Sequence, residues 1–139
     1  SSWSSLSALV RLKARLRSGF FHWYGYKYEM TPDKSTELLI VVTTFASLED
    51  AKKMAHQLIE GQLAACVQIQ EGVHSIYRWD GKICEEKEVL LSAKTIADKW
   101  IDISSFIKIH HPYDLPELIA HAPEKYEAHY GKWVESEVK

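Results

Sequence analysis

The sequence predicts an α+β fold, a four-stranded antiparallel sheet in βαββαβ order with a long projecting hairpin and an extra C-terminal helix. Three observations predict it. Helix-period and strand-period apolar patterns alternate along residues 37–139. The two central strand patterns meet at Asp80-Gly81, a strong hairpin-turn signal. The chain, 139 residues with 46% hydrophobic and 26% charged content, suits one core-forming domain rather than two.

The first strand of this domain is Glu37–Phe45, a β-branched run apolar enough for a central position. Ser47 then caps a helix, with Asp50 three residues on approximating a capping box. Leu48, Ala51, Ala55, Leu58 and Ile59 recur at helical spacing up to the stop at Gly61. His56 lies among Lys52, Lys53 and Gln57 and reads as a surface residue. Leu63, Ala65, Val67 and Ile69 alternate with Ala64, Cys66, Gln68 and Gln70, giving a half-buried second strand that Gly72 interrupts. It resumes as Val73–Trp79, turns at Asp80-Gly81, and returns from Ile83 through Val89, Leu91 and Ala93. A glycine inside so long a strand marks a bulge or bend. The charged section Glu85–Glu88 is too polar for a core to cover, so the hairpin is expected to project.

A projecting hairpin that carries Ile76, Tyr77 and Trp79 exposes more apolar surface than a monomer leaves wet, which points to self-association through those three residues. A second helix follows from about Ala97 to Ile109, with Ile96, Trp100, Ile103 and Ile107 inward. Residues 116–120 form a short last strand. Pro123 is placed at the first turn of a closing helix whose inner stripe is Tyr126, Tyr130, Trp133 and Val134. His129 beside that stripe has no partner nearby in sequence. The order is the ferredoxin-like plan, two βαβ units split around a hairpin, and it hosts many unrelated functions.

Residues 1–36 stand apart as a basic and aromatic extension. They hold six Lys/Arg against two acids, whereas residues 37–139 hold eleven against seventeen. Leu6, Leu9, Val10 and Leu16 trace a weak basic amphipathic helix, and the aromatic cluster from Phe20 to Tyr28 is too short and dense to assign to helix or strand. Three origins are open: an appended extension, a targeting remnant, or a membrane-surface or partner-binding arm. The acidic body disfavours nucleic-acid binding, and no apolar run reaches the ~20 residues of a membrane span. Cys66 and Cys84 lack metal-type spacing and are expected as free thiols in a reducing compartment. A cytoplasmic location is therefore expected, or an organelle if residues 1–29 are a native leader.

The densest chemistry lies in Lys108–Leu118. Here His110, His111, Tyr113, Asp114 and Glu117 crowd between prolines that end a helix and start a strand. The functional reading is a divalent-cation site; the structural one is a stiff connector with capping or solvated polar groups. No nucleophile with a base in sequence reach, no phosphate-cradling loop and no HExxH helix is present, so no catalytic residue is expected.

Four stretches in order resemble the CutA divalent-cation-tolerance family: Leu63-Ala64-Ala65-Cys66, Ser75–Gly81, Lys94-Thr95, and His110–Glu117. Together they cover roughly residues 37–135. The resemblance implies a homotrimer whose extended hairpins wrap neighbouring subunits, with no established catalytic activity and a link to tolerance of copper and other divalent cations. It also implies a copper-type site of one cysteine, one histidine and one glutamate. The histidine and glutamate fall at His110 and Glu117. The cysteine position is Thr43, which offers no thiolate, so any remaining site is expected to be weaker and less copper-selective. The alternative is a metal-independent trimeric regulatory or scaffold protein resembling the nitrogen-regulatory signalling trimers.

Overall fold

The computed structural model describes residues 20–23, 26–29 and 34–139. The chain separates into two compact units, Ser1–Lys34 and Ser35–Lys139. In the first, β1 (Phe20–Trp23) pairs antiparallel with β2 (Tyr26–Glu29), Phe20 opposite Glu29 and Trp23 opposite Tyr26. The described residues of the aromatic cluster that sequence patterning leaves unassigned thus form a two-stranded ribbon. The amphipathic helix expected over Leu6–Leu16 lies outside the described residues.

The second unit is built from β3 (Leu38–Phe45), α1 (Leu48–Glu60), β4 (Cys66–Trp79), β5 (Lys82–Ile96), a 3₁₀ turn (Ala97–Lys99), α2 (Trp100–His110), β6 (Ile119–His121) and α3 (Ala128–Glu137). The strands form one sheet in the order β4-β5-β3-β6, every neighbour antiparallel. This is the α+β, ferredoxin-like arrangement with an extra C-terminal helix. Side chains alternate across the sheet. Val41, Thr43 and Phe45 of β3 therefore join Leu91 and Ala93 of β5 beneath α1 and α2, where Ala51, Met54, Leu58, Ile103 and Ile107 complete a core of residues at most 7% exposed.

Local chemistry sets the element ends. The Ser47 hydroxyl accepts from the Asp50 amide at 3.2 Å to start α1. β4 and β5 pair from Cys66 opposite Lys94 to Trp79 opposite Lys82, interrupted by a register shift between Gln70 and Val73 where Gly72 takes φ +75°. At the tip, Asp80 and Gly81 take φ +50° and +73°, the paired left-handed residues of a two-residue hairpin turn.

The closing helix differs from expectation. It starts at Ala128, not near Pro123, because the Glu127 carboxylate accepts from the Tyr130 amide at 2.7 Å and caps it there. Its buried face is Gly131, Val134 and Val138 packed toward Leu38 and Ile96, while Tyr126, Tyr130 and Trp133 are 38–44% exposed. Glycine is needed at position 131 because Tyr126 already fills the space over it. A Cβ there would lie 2.5 Å from its ring. His129 does have a partner, the exposed Glu127 carboxylate at 2.8 Å.

Candidate functional site

Strand alternation brings the chemistry together. With the turn fixed at Asp80-Gly81, Ser75 lies opposite Glu86 and Tyr77 opposite Cys84. Ser75, Tyr77 and Trp79 of β4 thus share one face with Cys84, Glu86 and Glu88 of β5. The segment after α2 folds back against this face, and Thr44, Tyr113, Asp114, Leu115 and Glu117 close a cavity of about 650 Å³ with them. Four carboxylates line it, and no Lys or Arg does. Tyr113 donates its hydroxyl to Glu88 Oε2 at 2.9 Å. Burial, followed by that bond to Glu88, pushes the Tyr113 phenol pKa well up, and the Glu86 carboxylate beside Tyr77 pushes that phenol up as well.

His111 holds the segment in place. Its ring stacks on Phe45 with centroids 4.4 Å apart, and its Nδ1 accepts from the Tyr113 amide at 3.0 Å. Nδ1 therefore carries the lone pair, and Nε2–H donates to the Thr44 carbonyl at 2.8 Å. This is a neutral imidazole, and burial lowers its pKa. His110 points elsewhere. Its ring stacks on Phe106 at 4.0 Å, and Nδ1–H donates to the Phe106 carbonyl at 2.9 Å, which leaves the Nε2 lone pair free. It lines a second cavity of about 180 Å³ with Phe45, Asp50, Lys53, Met54, Gln57 and Pro112.

Of the two metal-ligand candidates, His110 borders the smaller cavity and Glu117 the larger. Thr43 faces the helices with its hydroxyl buried and without a hydrogen-bond partner among the described residues, across the sheet from Thr44. Among the described residues no three His, Cys, Asp or Glu side chains converge closely enough to hold a metal ion. Of the hairpin candidates, Tyr77 and Trp79 stand on the cavity side at 37% and 58% exposure, while Ile76 is 66% exposed on the opposite face. Cys66 and Cys84 are free thiols.

Sequence reasoning missed Thr44, Glu86, Glu88 and the anchoring role of His111. The Asp80-Gly81 turn carried the signal for the two glutamates, since it fixes which hairpin residues face each other. Nothing local could reveal that Thr44 and His111, 67 residues apart, would meet.

Comparison with known proteins places this geometry. A family model described as CutA1 divalent ion tolerance protein matches residues 39–137. The divalent-cation tolerance protein CutA of Pyrococcus horikoshii is 38% identical over 102 residues, 73% of this chain and 99% of that one. A chloroplastic CutA protein of Arabidopsis thaliana is 36% identical over 63% of this chain and 48% of its own length. The solved structure described as a periplasmic divalent cation tolerance protein CutA from Archaeoglobus fulgidus superposes with a TM-score of 0.71 at 30% identity, covering 73% of this chain and 99% of that one.

Proposed function

The chain belongs to the CutA1 divalent ion tolerance family, and from that premise we propose that it is a non-catalytic homotrimer that takes part in divalent-cation homeostasis. The observation that carries the assembly is the hairpin. Trp79 on one face and Ile76 and Ile83 on the other are all more than half exposed, and exposed apolar side chains on both faces of a ribbon favour burial between copies.

The metal reading uses the free Nε2 of His110 and the exposed carboxylate of Glu117. Because they border different cavities of one chain, a site that employs both draws them from neighbouring copies. Imidazole and carboxylate without a thiolate suit zinc, nickel or copper(II) better than copper(I), since Thr43 stands where the family cysteine is expected. Two free thiols favour a reducing compartment, and no helix among the described residues is long and apolar enough to cross a membrane. The cytoplasm is the compartment proposed for the domain. The chloroplastic and periplasmic relatives show that the family is not confined to it.

Calorimetric titration of Zn²⁺, Ni²⁺ and Cu²⁺ into the full chain tests the metal reading. Saturable binding of one ion per chain, lost in His110→Ala with the assembly mass unchanged, is expected. Binding indifferent to His110 would remove that residue from the site. No binding of any of the three ions would leave a metal-independent trimer.

A further inference from the structure

We propose that the larger cavity binds an organic cation, a primary ammonium or guanidinium carried on an apolar stem. The lining divides into two chemistries suited to the two halves of such a ligand. Tyr77, Trp79 and Tyr113 supply aromatic surface for the stem and a π-face for the charge. Glu86, Glu88, Asp114 and Glu117 supply negative charge that no lining Lys or Arg offsets.

Strand alternation contributes to this imbalance, and Lys82, which shares the cavity face opposite Trp79, is outside the lining. Lys87 lies between Glu86 and Glu88 and is directed to the other face of the hairpin. One hydrogen-bonding group is ready for use. Thr44 lines the cavity and is only 6% exposed as a residue. Its hydroxyl oxygen can accept directly from an ammonium or guanidinium N–H.

The size argues for an organic ion over a bare metal. About 650 Å³ is the volume of a small-molecule site, and the carboxylates are spread around it rather than gathered on one point. Both flanking phenols have raised pKa values, so they stay neutral and hydroxylic at physiological pH and oppose no cation. The proposal shares Glu117 with the metal reading but not His110, which lies outside this cavity, so His110→Ala separates the two.

The test is calorimetry on the full chain with two probes, agmatine and 2-phenylethylamine, and with 2-phenylethanol as the neutral twin of the second. At least one amine should bind saturably, and raised salt should weaken it. Should that amine be 2-phenylethylamine, its alcohol twin should bind at least tenfold more weakly. A Glu86→Gln/Glu117→Gln variant should lose at least tenfold in amine affinity, and His110→Ala should lose none. Both glutamates are exposed, so circular dichroism should show the variant folded. Should it not fold, the amine-against-alcohol and salt comparisons on the wild type still decide. Failure of both amines to bind, as when a neighbouring copy fills the cavity, overturns the proposal. So does equal affinity for the alcohol, or an unchanged affinity in the folded double variant.

Discussion

His111 shows how a single protonation state can secure a loop. Its Nδ1 must remain unprotonated to accept from the Tyr113 amide while Nε2–H serves the Thr44 carbonyl, so an added proton removes one of its two bonds. Burial lowers its pKa, outweighing the opposing pull of the Thr44 carbonyl, Asp50 and Glu88. The unfolded chain therefore takes up the proton first as pH falls. The contribution is complete above the unfolded value of about 6.5 and declines as pH drops below it. Melting temperature is expected to fall between about pH 7.5 and about pH 5.5, and His111→Phe should show a smaller fall across that interval. The same substitution leaves the Tyr113 amide without its acceptor and should cost about 1–3 kcal/mol at neutral pH. A pH response identical to the wild type would show that His111 titrates alike in both states. The composition of Lys108–Leu118 marked this segment in the sequence. Which of its two adjacent histidines faces inward was not legible, because the answer depends on β3.

At the scale of elements, short-range rules served wherever the chemistry was local. Ser47 and Gly61 bracket α1, Gly72 marks the register shift, and Asp80-Gly81 sets the turn. The inner face of α3 was misread because it is decided at longer range, although its start is set locally by the Glu127 cap. Tyr126 lies over Gly131, and its hydroxyl accepts from the Leu38 amide at 3.4 Å, so the helix docks through small residues and turns its aromatics outward. A helical wheel favours the larger apolar side chains and cannot register that tether. The turn offers the cleanest test at this scale. Gly81 has open space around it but φ +73°, so Gly81→Ala meets only backbone strain, about 1–2 kcal/mol. Urea unfolding at matched protein concentration should show a lower midpoint with an unchanged slope. An unaltered midpoint would mean that the tip contributes nothing to stability.

For the whole molecule, the ferredoxin-like order was readable because strand and helix periods alternate cleanly along residues 37–139. Side chains that converge from distant segments were not readable, and the larger cavity is made of such side chains: Thr44, the hairpin's inner face and the loop after His111. His110 and Glu117 show the same limit from the other side. They are seven positions apart in sequence, yet they border separate cavities. The proposed metal reading, which draws them from neighbouring copies, therefore stands together with the proposed assembly. The most direct measurement is the solution mass by light scattering of the wild type and of an Ile76→Ala/Tyr77→Ala/Trp79→Ala variant. The account predicts three chains for the wild type and a dissociated, folded variant. A monomeric wild type, or a variant that keeps the wild-type mass, would contradict it.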